Sequence, residues 1–162
     1  MGTEMILFLD FDGVLHPIPT KDRNLLCHVP RLEGVLRDFP YIQVVVSSLW
    51  RASHDLEGLR HYFSEDIRPR IIGMTPFTET PAYMSDSDFI LGVVRYKEIL
   101  LWIEQNKYEG PWLALDDAWR EFPDPCEQLI RCETEIGFDS HVESMLVQRL
   151  ALYELATDWN YE

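Results

Sequence analysis

MILFLDFDG, residues 5–13, carries five apolar residues that lead directly into Asp10 and Asp12. A continuous apolar run rich in Ile, Leu and Phe is typical of a strand that is buried on both faces, as in a parallel sheet. YIQVVVSS (41–48) and PWLALDD (111–117) repeat the pattern, and each also ends in polar residues. We therefore predict three buried parallel strands whose carboxyl ends carry polar side chains.

Amphipathic helical patterns lie between these strands and after the last of them. Apolar residues recur at helical spacing over 30–39, 51–63, 94–105 and 140–156. Two shorter apolar runs, 70–73 and 128–132, are weaker strand candidates, and the stretches 13–29 and 73–92 show no clear period, which is typical of functional or mobile loops. Strands that alternate with helices indicate an α/β fold with crossover connections and a mainly parallel sheet.

Composition limits the class of protein. A chain of 162 residues with 46% hydrophobic content can bury one good core, so we expect one domain over residues 1–162. The 28 acidic and 14 basic residues give a net charge of −14, which opposes extended nucleic-acid binding. The apolar run 5–9 is too short for a signal segment or a membrane span. Cys27, Cys126 and Cys132 are odd in number and form no CxxC pair, which favours reduced thiols in the cytoplasm.

The polar ends of the three strands are expected to meet, because ligands bind at the carboxyl ends of the strands in open α/β sheets. The residues concerned are Asp10, Asp12, Ser47, Ser48, Asp116 and Asp117. Like charges about 4 Å apart repel by roughly 4 kcal/mol at an effective dielectric near 20, so the gathered carboxylates need a cation. Oxygen ligands without a histidine cluster indicate a hard ion, and Mg²⁺ is the commonest choice beside phosphate.

Hydroxyl and basic side chains near the same edge could bind a phosphoryl group. Ser47 or Ser48 could donate a hydrogen bond to a phosphoryl oxygen, and strand alternation turns only one of them towards it. Arg95 and Lys97 begin the helix before the third strand. Residues two apart lie about 200° apart around a helix, so only one of these cations can face the site. We prefer Ser47 and Arg95.

The order of these residues resembles that of the haloacid-dehalogenase-like superfamily. LDFDGVL (9–15) is similar to its first motif, VVVSS (44–48) to its second, the Arg95 and Lys97 helix to its third, and LALDD (113–117) to its fourth. More narrowly, ILFLDFDGVLHP, VVVSSLWR, RYKEILLWI and ALDD resemble the small bacterial phosphatase-like domains found alone or in Swiss-army-knife RNA-repair proteins. The resemblance implies a three-layer Rossmann-like fold. Only 34 residues separate Asp12 from Ser47, too few for a large cap domain.

The resemblance also implies a mechanism. Asp10 would be the nucleophile that forms an aspartyl-phosphate, and Asp12 would protonate the leaving group and later activate water. Mg²⁺ would be held by the Asp10 side chain, the Asp12 backbone carbonyl and the carboxylate of Asp116 or Asp117. Ser47 and the cation of the third motif would orient and stabilise the transferred group.

The sequence is compatible with three functions. The first is a phosphatase for a small phosphorylated metabolite or a nucleotide. The second is end-processing of nucleic acid, which only the resemblance suggests and the acidic charge opposes. The third is a catalytically idle interaction module, against which the retained carboxylates argue, because an idle site has no reason to keep groups that repel. Nearby, His16 could touch a substrate, and Trp50 and Arg51 could line the pocket.

Overall fold

The computed structural model describes residues 4–78 and 93–158, and within them five strands form one sheet in the order β3-β2-β1-β4-β5. The strands are β1 (Met5–Leu9), β2 (Ile42–Val46), β3 (Ile71–Met74), β4 (Trp112–Asp116) and β5 (Leu129–Arg131). Every neighbouring pair is parallel, which confirms the predicted α/β class. The strand that ends just before Asp10 is the central one, so this residue lies in the middle of the sheet edge.

The described ranges contain four α-helices, which connect or follow the strands. They are α1 (Val29–Asp38), α2 (Leu56–Arg60), α3 (Val94–Gln105) and α4 (Ser140–Asp158). The helices predicted at 30–39, 94–105 and 140–156 are confirmed, with ends shifted by no more than two residues. Among the residues that the structure describes, no helix combines the length and the apolar character that crossing a membrane requires.

The helix predicted over 51–63 is wrong in its extent. A 3-10 helix covers Leu49–Ala52, and α2 begins only after a break. The Ser48 side chain accepts a hydrogen bond from the Trp50 N–H, and the Asp55 side chain accepts one from the Gly58 N–H. Because each of these side chains bonds to nearby backbone, two short helices start separately where the apolar pattern alone predicts one.

The core lies on both faces of the sheet, as the continuous apolar strands predict. Alternate residues of β1 face opposite sides: Leu7 and Leu9 belong to one apolar cluster, and Ile6 and Phe8 to the other. The first cluster is completed by side chains of α1, α2 and α4, and the second by Ile99 and Trp102 of α3. Helices therefore cover the sheet on two sides, and the three-layer Rossmann-like arrangement is confirmed.

The connection between β1 and β2 leaves the carboxyl edge of the sheet without a large cap. Residues 10–41 hold a 3-10 helix at Asp22–Asn24, α1, and an isolated bridge between Asp12 and His16. The second irregular stretch predicted from the sequence, 73–92, falls for the most part on residues 79–92, which lie outside the described residues.

Candidate active site

The ends of β1, β2 and β4 lie level with one another. The Asp10 N–H donates to the carbonyl oxygen of Leu115 at 3.1 Å, and the Ser47 N–H donates to the carbonyl oxygen of Leu9 at 2.7 Å. These bonds extend the parallel ladder by one residue beyond each strand. As a result, polar residues distant in the sequence stand side by side at one edge of the sheet.

Three carboxylates meet at this edge. Asp10, Asp116 and Asp117 each offer one oxygen, and these oxygens all lie within 4.8 Å of one another. Asp10 and Asp116 are buried, and Asp117 is half-buried. The sequence left open which of the two consecutive aspartates joins the cluster, and the structure places both there. The Asp12 side chain is not a member of this cluster.

The turn after Asp12 approaches Asp117 closely, and this explains the glycine at position 13. Gly13 has a φ of +73°, and a Cβ atom built there would lie 2.2 Å from Asp117 Oδ2. Any other residue would be strained and would collide with the carboxylate. The same Oδ2 accepts a hydrogen bond of 2.8 Å from Thr134 Oγ1. Sequence reasoning missed Thr134, because it follows β5 and carries no motif that links it to the cluster.

Arg95 supplies the positive charge of the cluster. Its Nη1 atom lies 3.2 Å from Asp10 Oδ1 and 3.0 Å from Asp116 Oδ2, and it also donates to the carbonyl oxygen of Ser47. The arginine is buried, whereas Lys97 is exposed on the same helix. The structure therefore places Arg95, and not Lys97, beside the carboxylates.

One arginine does not fully compensate the buried carboxylates. Burial raises the pKa of Asp10 well above its ordinary value; the Asp116 carboxylate raises it further, and Arg95 opposes the shift. Burial also raises the pKa of Asp116 to about 6, again against the influence of Arg95. Both shifts indicate that the site is short of positive charge and that a further cation would favour the ionised forms.

A second buried ion pair supports the wall of the site. Arg51 pairs with Glu98 and donates to the carbonyl oxygens of Ser48 at 2.7 Å and Thr75 at 2.9 Å. The arginine thus ties the segment after β2 to the segment after β3 and to α3. Sequence reasoning missed Glu98, although a signal existed: it follows Arg95 by three residues, a spacing that puts two side chains on one helix face.

The two serines after β2 have different surroundings. The buried Ser47 Oγ has no hydrogen-bond partner among the described residues. Ser48 Oγ accepts a hydrogen bond of 3.2 Å from the Trp50 N–H and so caps the 3-10 helix. Because a buried hydroxyl without a partner costs free energy, the Ser47 hydroxyl is the one that a ligand could satisfy.

The Asp12 side chain lies outside the acidic cluster and has different contacts. Its side chain is 47% exposed, and Oδ1 lies 2.9 Å from His16 Nε2 and 3.1 Å from Trp50 Nε1. The imidazole of His16 is almost completely buried, and the structure places it between Asp12, the Leu26 N–H and the Trp50 ring. Of the two residues expected near the pocket, Trp50 touches Asp12 directly and Arg51 does not contact it.

Comparison with known proteins places these residues in a family. Residues 6–142 match the family described as the HAD domain in Swiss Army Knife RNA repair proteins. Neither the curated proteins nor the solved structures contain a significant match. The matched range includes every site residue described above, and the family points to hydrolase or phosphatase chemistry in general terms. The chain, which has the predicted parallel sheet and the acidic edge, belongs to the family of HAD domains found in Swiss Army Knife RNA repair proteins.

Proposed function

We propose that this chain is a magnesium-dependent phosphohydrolase that transfers a phosphoryl group first to Asp10 and then to water. The observation that carries the proposal is the gathering at one sheet edge of three carboxylates, a buried arginine and a buried serine hydroxyl without a partner. A site of this composition is suited to a dianionic group that arrives with a divalent cation.

The acidic cluster fits Mg²⁺. All its donors are carboxylate oxygens, the ligand type that hard cations prefer, and three of them are close enough to share one ion. The raised pKa of Asp10 and of Asp116 supports the same assignment, because a bound cation would offset the cost of ionising both groups. When bound by Asp10, Asp116 and Asp117, with the Asp12 carbonyl as the further ligand that the family resemblance implies, Mg²⁺ would neutralise charge on the phosphoryl oxygens.

Two residues are placed to hold the phosphoryl group. The Ser47 hydroxyl lacks a partner and would donate a hydrogen bond to a phosphoryl oxygen. Arg95 is already fixed by Asp10 and Asp116, so its charge stands beside the reacting carboxylate without any rearrangement. Fixed donors and charges of this kind stabilise the transferring group more effectively than mobile solvent does.

The reaction would take place in two steps. In the first, a carboxylate oxygen of Asp10 forms a bond to phosphorus while the bond to the leaving oxygen breaks, and Asp12 gives its proton to that oxygen. In the second, Asp12 takes a proton from water as the water oxygen bonds to phosphorus and the aspartyl-phosphate bond breaks. Inorganic phosphate leaves, and Asp10 and Asp12 return to their starting states.

The proposed substrate is a small phosphorylated metabolite or a nucleotide. The net charge of −14 opposes a long polyanion and so favours a small substrate. We also propose a cytoplasmic location. The cysteines, Cys27, Cys126 and Cys132, are all free thiols, which fits a reducing compartment.

The test is hydrolysis of 4-nitrophenyl phosphate with and without Mg²⁺. We expect metal-dependent turnover that Asp10→Asn lowers by at least about 10⁴-fold, because the amide cannot form the covalent intermediate. The matched control is Asp38→Asn, an exposed aspartate at the end of α1, which should keep the wild-type rate. Circular dichroism would check that both variants are folded. Equal rates for wild type and Asp10→Asn would exclude this nucleophile.

Removal of a terminal phosphate from nucleic acid is the second candidate, and the description of the matched family favours it. The discriminating measurement compares a phosphorylated oligonucleotide with the corresponding mononucleotide. A kcat/KM that rises with oligonucleotide length would support end-processing, and one that falls with length would support the small substrate. If no phosphate ester is turned over and Mg²⁺ does not bind, the idle interaction module becomes the better explanation.

A further inference from the structure

The Asp12 carboxylate is held at one oxygen and open at the other. His16 Nε2 and Trp50 Nε1 both contact Oδ1, at 2.9 and 3.1 Å. Among the residues that the structure describes, none forms a hydrogen bond with Oδ2, and the side chain is 47% exposed. The two contacts come from separate segments, one following β1 and the other following β2, so they fix the rotation of the carboxylate relative to the sheet edge.

Both contacts donate a hydrogen to Asp12. The indole nitrogen of Trp50 can only donate. The backbone N–H of Leu26 donates to His16 Nδ1 at 3.3 Å, so this ring nitrogen carries a lone pair. The hydrogen of the neutral ring therefore resides on Nε2, which donates to Asp12 Oδ1. With two donors aimed at it, Oδ1 acts as an acceptor, and a proton carried by this carboxyl group belongs on Oδ2.

The two donors are themselves rigidly placed. His16 is only 1% exposed. The Trp50 ring stacks on the His54 ring, with centroids 5.5 Å apart. It also packs at an angle against Phe11 and edge to face against Tyr62, with centroid separations of 5.2 and 5.4 Å. A side chain packed in this way loses little further freedom when it donates a hydrogen bond, so it can hold its acceptor in one orientation.

We infer that His16 and Trp50 are positioning residues that hold Asp12 through Oδ1 and present Oδ2 to the leaving group. The inference rests on the proposed phosphohydrolase function. In the first step the O–H bond at Asp12 Oδ2 breaks and the proton moves to the leaving oxygen, which takes the electron pair of its broken bond to phosphorus. In the second step a water proton returns to Oδ2. Neither His16 nor Trp50 exchanges a proton in this scheme.

The test uses two esters that differ in their need for a proton. An alkyl phosphate has a poor leaving group that must be protonated, whereas 4-nitrophenolate leaves readily without a proton. The ratio of their kcat/KM values reports formation of the aspartyl-phosphate and is independent of its later hydrolysis. Trp50→Phe keeps the ring and removes the N–H, so we expect kcat/KM for the alkyl ester to fall at least about tenfold, within the range of general acid catalysis. The value for the aryl ester should fall much less.

Trp112→Phe is the matched control. It makes the same chemical change in a partly buried ring at the amino end of β4, at the opposite edge of the sheet from the site, and should leave the ratio unchanged. A second comparison keeps or removes the donor at position 16. His16→Gln retains an N–H donor and should preserve the ratio better than His16→Leu, which retains none. Asp12→Asn, which lacks the acidic proton, should lower the ratio most.

The outcomes separate this inference from the proposed function. If wild type hydrolyses both esters and Trp50→Phe lowers both kcat/KM values equally, or lowers neither, the positioning role is overturned while the phosphohydrolase remains. If wild type hydrolyses neither ester with Mg²⁺ present, the proposed function fails and this inference fails with it. A selective loss on the alkyl ester in Trp50→Phe, absent in Trp112→Phe, supports the positioning role.

Discussion

Asp10 and Asp12 stand two residues apart after the same strand, and their surroundings differ in almost every respect. Asp10 is buried against Arg95 and beside Asp116, and burial raises its pKa. Asp12 is half exposed and is held by uncharged N–H donors, one of them from Trp50. The first environment is controlled by charge and the second by hydrogen-bond geometry. In the proposed mechanism Asp10 is a nucleophile that must be ionised beside a cation and Asp12 is an acid that must carry a proton, and these two roles need such different surroundings.

Removing the arginine should disrupt the charge-controlled surroundings of Asp10 and produce a large effect, second only to loss of Asp10 itself. Arg95→Met leaves Asp10 and Asp116 without their buried counter-charge and removes the arginine's charge from beside the phosphoryl oxygens. We expect kcat/KM for both esters to fall by about 10²–10³-fold, the usual cost of losing one preorganised electrostatic group. The measurement is steady-state kinetics at saturating Mg²⁺, with circular dichroism to verify folding.

Lys97→Met is the control for this loss of charge. The lysine lies on the same helix but is exposed, so the variant should keep nearly the wild-type kcat/KM. The ratio between the two esters should stay constant in Arg95→Met, because Asp12 and its two donors are untouched. A larger loss in Lys97→Met than in Arg95→Met would show that the wrong cation has been assigned.

The next effect is on stability, which should depend on pH because Asp116 is buried beside Asp10. The pKa of Asp116 is raised from 3.8 to about 6 by burial, so the folded protein binds more protons than the unfolded chain between these values. The contribution of Asp116 to stability is therefore largest at the acidic end of the window and falls as pH rises towards the folded pKa. In metal-free protein the loss should be on the order of 2–3 kcal/mol, at 1.36 kcal/mol for each unit of pKa.

Urea unfolding in the presence of a chelator, at several pH values from about 4 to 7, would measure this loss. Asp116→Asn is the matched comparison, because it keeps the shape of the side chain and removes its titration. The wild-type curve should lose more stability than the variant curve across the window, and Mg²⁺ should restore wild type more at pH 7 than at pH 5. Parallel curves would mean that Asp116 ionises as easily in the folded protein as in water.

The sequence predicts the fold well because strands that are buried on both faces appear in it as nearly continuous apolar runs. The stretches 5–13, 41–48 and 111–117 contain the three central strands, and α3 has the bounds that its apolar spacing predicts. The meeting of the acidic residues is also predictable from the sequence, because the carboxyl ends of parallel strands lie at the same edge of the sheet. The prediction of one continuous helix over 51–63 is wrong because the Ser48 and Asp55 side chains accept hydrogen bonds from nearby backbone N–H groups. The spacing of apolar residues contains no information about such caps.

The details of the site depend on contacts between distant segments, which no local pattern contains. Choosing Arg95 over Lys97 requires the rotation of α3 against the sheet, and periodicity alone leaves that angle open. The His16 and Trp50 contacts with Asp12 join a loop and a 3-10 helix whose residues lie 34 positions apart in the chain. Both residues lie in the strings that resemble the family, but only the folded arrangement connects them to the Asp12 carboxylate.

The two serines after β2 offer the smallest and most selective comparison, because each belongs to a different side of the site. Ser47→Ala should lower kcat/KM for both esters roughly tenfold by removing one hydrogen bond to a charged group, without loss of stability, since its hydroxyl has no partner in the described protein. Ser48→Ala removes the cap that starts the Trp50 segment and should cost about 1 kcal/mol in urea unfolding. Because Trp50 holds Asp12, this second variant should lower the ratio of the alkyl to the aryl ester slightly, whereas Ser47→Ala should leave the ratio unchanged. The reverse pattern would mean that Ser47 is structural and that the 3-10 helix holds Trp50 without its cap.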